Sequence, residues 1–115
     1  MTARLAHFEI LGPDDQILVT FYRDLLGWAA DGQGPGYTLV RPDGGPSGAI
    51  VEAPEHRVTL GVTVADLDAV VDRVIGLGGS VLMPPTDNGW VTRALVADPA
   101  GNTMSLIQDR PSSGR

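Results

Sequence analysis

The chain has 115 residues, 43% hydrophobic and 19% charged, which fits a soluble globular domain and excludes a disordered chain. Eight basic residues, all arginine, against fourteen acids give a net charge of −6 and leave no basic stripe for nucleic acid. The absence of Cys and Lys excludes disulfides, zinc-thiolate sites, Schiff bases and Walker-type phosphate loops.

In chain order, "RLAHFEI" alternates as a strand and breaks at "LGPDD", where Pro13 and the paired aspartates mark a helix start. Ile17, Leu18, Phe21 and Leu25 recur at helical spacing, so Phe21 is expected in the core, and Gly27 closes the helix. "YTLVRP" and "SGAIVEA" follow as strands joined by "DGGPS". "RVTLGVTV" is again a strand, with Asp66 as helix cap and Leu67, Val70, Val74 and Leu77 as the apolar stripe. After "LGGS" come the strands "VLMPP", "WVTRALVA" and "NTMSLIQ". "DPAGN" reads as a structural turn in which Asp98 caps its own backbone. No apolar run approaches the roughly 20 residues of a membrane span, and the first residues lack a signal-peptide pattern, so a cytoplasmic location without membrane contact is expected.

One pattern therefore occurs twice, at an offset of about 52 residues. Asp14 falls over Asp66, His7 over Thr59, and Leu26-Gly27 beside Leu77-Gly78. The expected domain spans 1–115, with module one at about 1–53, module two at about 57–109 and a polar tail at 110–115. One helix per unit covers one sheet face, which leaves the other faces free to form a concave small-molecule pocket.

The stretches "HFEI", "FYRDLLGW", "VTVADLDAVVDRVIGLGGSVLMPPT" and "VADPAGNTMSLIQ", in that order, resemble the vicinal oxygen chelate superfamily, and the small glyoxalase-like proteins in particular. That superfamily includes glyoxalase I, extradiol dioxygenases and the bleomycin-resistance proteins. The resemblance implies an α+β fold of two βαβββ modules whose curved sheets form a pocket, and a homodimer. It also implies four metal-ligand positions. Here they fall on His7, on Glu52 at an uncertain register, on Thr59 and on Ser105. Two of the four are neutral hydroxyls, which are poor divalent-metal ligands, so no cofactor is favoured.

Strand alternation puts Glu9 on the same face as His7, and the two are the candidate catalytic, proton-handling pair. Alternation in "WVTRALVADP" sets Ala94 and Val96 under a helix and aims Arg93 into the concavity, where a guanidinium can fork onto an acid group. Trp90 and Tyr37 are expected at the mouth, with Thr59 and Ser105 as further substrate-binding groups. The expected function is binding of a small organic molecule with metal-independent isomerase, epimerase or cyclase chemistry. The alternatives are a non-catalytic sequestering protein of the resistance type and a divalent-metal lyase or dioxygenase using His7 and Glu52.

Overall fold

The structure is a computed structural model and describes residues 3–109; the polar tail expected at 110–115 lies outside them. The described residues run β1 (Arg4–Gly12), α1 (Asp15–Leu26), β2 (Ala29–Gly34), β3 (Tyr37–Arg41) and β4 (Ser47–Glu52). The same order then repeats as β5 (Arg57–Val64), α2 (Leu67–Val74), β6 (Ser80–Asp87), β7 (Thr92–Ala97) and β8 (Thr103–Gln108). This is the expected α+β arrangement of two βαβββ modules. Two compact units result: Ala6–Thr59, and Leu60 onward together with the first residues as far as Leu5. The division falls within β1 and β5 and not in the polar connector "EAPEHR".

In the first unit, α1 begins where Asp14, in extended backbone, accepts hydrogen bonds from the amides of Gln16 and Ile17. It ends at Gly27, whose φ of 73° suits glycine and whose N–H donates to the Arg23 carbonyl at 2.9 Å. The helix lays Leu18, Val19 and Tyr22 on Phe8, Ile10, Val40, Ile50 and Trp28. Tyr22 stacks on Trp28 at 5.7 Å, and Phe8 meets the same indole at 5.4 Å. Phe21, expected in the core, is instead exposed, as are Ile17 and Leu25. The helix is apolar on two neighbouring stripes. Leu18 seats where Gly12 has no side chain, and this selects the 18/19/22 face.

β1 pairs in parallel with β4, β4 antiparallel with β3, and β3 antiparallel with β2. Gly48 on β4 leaves room for the Phe8 ring. β2, "AADGQG", is exposed throughout and has the composition of a loop; its pairing with β3 makes it a strand. Its last residues include part of "GQGPG", otherwise turn chemistry.

In the second unit, Asp66 caps α2 through the Ala69 amide. Leu67, Val70, Val71 and Val74 pack on Val62, Val64, Ala94, Val96, Met104 and Leu106. Leu77, expected to continue this stripe, is exposed. The chain tightens into a 3₁₀ turn over Ile75–Leu77, and three residues per turn rotate Leu77 off the buried face. β5 pairs in parallel with β8, which pairs antiparallel with β7, and β7 with β6. Asp98 accepts hydrogen bonds from the amides of Ala100 and Asn102 and from Asn102 Nδ2, each at 2.9 Å. These bonds, led by the Asn102 side chain, hold its carboxyl below the usual range.

Candidate functional site

The α1 cluster takes the even positions of β1, so the odd positions face away from the helix. His7, Glu9 and Leu11 stand there, in register with Ser47, Ala49 and Val51 of β4. Leu39 and Tyr37 of β3 continue the same rows. His7 Nε2 lies 3.7 Å from Glu9 Oε2, and the side chains are 26% and 19% exposed. That separation is longer than a hydrogen bond and becomes an ion pair when the imidazole is protonated. The pair is thus shielded but reachable, on the side of the sheet that also carries Leu11, Leu39 and Val51.

The second unit repeats the logic. Ala94 and Val96 pack under α2, so Arg93 and Leu95 face away from it, together with Ser105 and Ile107. Arg93 Nη1 donates to Ser105 Oγ at 3.3 Å, which steadies the guanidinium. Among the six arginines described, Arg23, Arg41 and Arg57 each lie within 4 Å of a carboxylate.

Thr59, in the first unit, is 2% exposed, and its Oγ1 has no hydrogen-bond partner among the described residues. Two residues earlier on the same side of β5, Arg57 Nε is also buried without a partner. An orphan buried hydroxyl costs free energy. Tyr37 is half-buried at the start of β3, while Trp90 is 67% exposed in the β6–β7 connection, its amide held by Asn88 Oδ1.

Glu52 is not brought to His7. It pairs with Gly12, an even position, and therefore lies on the opposite side of the sheet. Among the described residues no three His, Cys, Asp or Glu side chains come together. One imidazole and one neighbouring carboxylate on a face, with hydroxyls at the other positions, do not fit the donor set of a divalent centre.

One residue escaped the sequence reading altogether. Gln108, at the end of β8, accepts the Leu67 amide at 2.9 Å and donates to the carbonyls of Ala65 and Asp109 at 2.7 and 3.0 Å. Its partners on the other strand end lie more than 40 residues away, and no local pattern announces them.

Two βαβββ modules, each with a helix-free sheet face, are the arrangement of the vicinal oxygen chelate superfamily. More narrowly, the profile described as the glyoxalase-like domain matches residues 10–107, and the chain belongs to that family. It is 34% identical over 108 residues to CFP32 of Mycobacterium bovis, which carries the name of a glyoxylase; the match takes in 83% of this chain and 41% of that protein. The chain thus spans about two-fifths of the length of the curated relatives it matches. Among solved structures, a glyoxalase/bleomycin resistance protein/dioxygenase superfamily member from Vibrio splendidus superposes with a TM-score of 0.73 at 19% identity, covering 94% of this chain and 100% of that one. The methylmalonyl-CoA epimerase of Mycobacterium tuberculosis gives 0.71 at 18% identity, covering 93% and 88%. At these identities the structural likeness speaks for the fold.

Proposed function

We propose that this chain binds a small organic acid and moves a proton on it, as an isomerase, epimerase or cyclase acting through side chains alone. The observation that carries the reading is the His7–Glu9 pair, 3.7 Å apart and three-quarters shielded on the helix-free side of β1. Neutral His7 Nε2 accepts a proton from a carbon acid, and the adjacent carboxylate stabilises the imidazolium that forms. Returning the proton to a neighbouring carbon completes an isomerisation; returning it to the opposite face of the same carbon, after the planar enolate has turned over in the pocket, completes an epimerisation. Arg93, steadied by Ser105, is assigned as an acid-binding group of the second unit. The structural neighbour named an epimerase supports the reaction class by analogy only.

No step is routed through a metal, because the donor set does not fit one. Tyr37 and Trp90 are assigned to the ligand's apolar part, and Thr59 to an acceptor on it. A homodimer, implied by the resemblance, and a cytoplasmic location, expected from the lack of a membrane-span run and of a signal-peptide pattern, belong to the same proposal.

The test is a thermal-shift and calorimetric screen of small carboxylates on wild type, His7→Ala, Arg93→Gln and the double variant. Binding lost in Arg93→Gln, with turnover lost but binding kept in His7→Ala, is the expected result. Stoichiometric binding with no turnover in any form would instead indicate a sequestering protein.

A further inference from the structure

Away from these residues, the second unit holds a cleft of about 460 Å³ lined by Arg4, Arg73, Asp66, Ala65, Ala69 and Val70, among others. Its walls are fixed. Thr63 Oγ1 donates to the Arg4 carbonyl at 3.4 Å, and the Asp109 amide donates to the Val64 carbonyl at 2.8 Å. Gln108 ties Ala65, Leu67 and Asp109 together at the rim. A site whose backbone is already fixed spends little free energy on ordering when a ligand arrives.

The charges are distributed unevenly in use. Among the described residues, Arg4 and Arg73 make no ion pair or hydrogen bond through their guanidinium groups. They line this one cleft together. Asp66 is occupied as the α2 cap through Ala69. Asp109 also stands on the rim, so the local charge is balanced and a multiply charged anion meets two carboxylates as well as two guanidinium groups. Ala65, Ala69 and Val70 give an apolar floor beside these heads.

We infer that this cleft is a second ligand site, selective for a monoanionic carboxylate on a short apolar body. Arg4 and Arg73 take the carboxylate, and the alkyl part covers Ala65, Ala69 and Val70. The two rim aspartates set the preference for one negative charge over a phosphate. Nothing in this site is shared with His7, Glu9, Arg93 or Ser105, so the two assignments fail independently.

Hexanoate is the probe, with neutral hexanamide and inorganic phosphate as comparators, followed by amide chemical shifts. Hexanoate should shift the Ala65, Ala69 and Val70 amides saturably, with half-saturation near about 1 mM for so few heavy atoms. Hexanamide and phosphate should bind at least tenfold more weakly. Arg4→Gln and Arg73→Gln, both at exposed positions, should each weaken hexanoate at least tenfold, and Ala69→Leu should fill the floor to the same effect, all with unchanged folding. Arg93→Gln should leave these shifts intact. The inference is overturned if hexanoate gives no saturable shift, if hexanamide or phosphate matches it, if the double arginine variant still binds, or if Arg93→Gln abolishes the shifts instead.

Discussion

Replacing Thr59 by valine removes one hydroxyl and keeps the β-branched shape that suits a strand. In the structure that hydroxyl is 2% exposed and makes no hydrogen bond among the described residues. A buried polar group without a partner costs about 1–3 kcal/mol, so its replacement by a methyl group should stabilise the ligand-free protein by about 1–2 kcal/mol. For a chain of this size that is a rise of about 4–8 °C in Tm. Urea unfolding with unchanged m-value provides the equilibrium check. If Thr59 meets an acceptor on the ligand, as the proposed function has it, the same variant should also bind that acid more weakly. A Thr59→Val protein that is less stable than wild type by 1 kcal/mol or more would show that the hydroxyl is satisfied in the folded state, and the reasoning fails.

Other consequences are equally concrete. Gln108→Ala removes three hydrogen bonds at 2.7–3.0 Å, two of which join β8 to the start of α2; it should cost about 2 kcal/mol by urea titration, and a loss under 0.5 kcal/mol would contradict the clasp. Gly48→Ala places a methyl group into the Phe8 ring and should cost about 2–4 kcal/mol, whereas Gly32→Ala, with open space around it, should change stability by less than about 1 kcal/mol. Asp98 has a folded-state pKa below its unfolded value, so its contribution is full above about pH 4 and fades as pH falls through the lowered folded value. Acid unfolding of Asp98→Asn should accordingly be flatter than wild type below about pH 4, and identical acid limbs would refute the turn's role.

Much of the architecture is legible because local chemistry and global fold agree. Asp14 and Asp66 cap helices 52 residues apart with nearly the same backbone angles, φ −128° and −137°, and Gly27 and Gly78 both end in left-handed backbone. The alternation in "HFEI" and "VTRALVA" places the polar and apolar sides of β1 and β7 directly. The choice of stripe on α1 is not legible, since Ile17/Phe21/Leu25 and Leu18/Tyr22 satisfy the same period. A glycine on another strand makes that choice. β2 escapes for the opposite reason: "AADGQG" has no strand propensity of its own, and its partner strand defines it.

The candidate site divides in the same way. His7 and Glu9 are two residues apart, and their pairing follows from strand geometry alone. Glu52 depends on register, and a single-residue step sends it to the other side of the sheet from His7. The orphan state of Thr59 and the clasp of Gln108 depend on neighbours distant in sequence, so neither could be read from the letters around them.

The central claim, taken from the proposed function, is that the His7–Glu9 pair carries proton transfer and that Arg93 carries acid binding, each through side chains alone. A double-mutant cycle on the best carboxylate from the screen tests it most directly. Calorimetry is done after chelator treatment and again with added divalent metal. The account predicts at least tenfold weaker binding in Arg93→Gln, loss of proton exchange at the ligand carbon in His7→Ala, and no change on adding metal. Binding indifferent to Arg93→Gln, or exchange that persists in His7→Ala or appears only with metal, would contradict it.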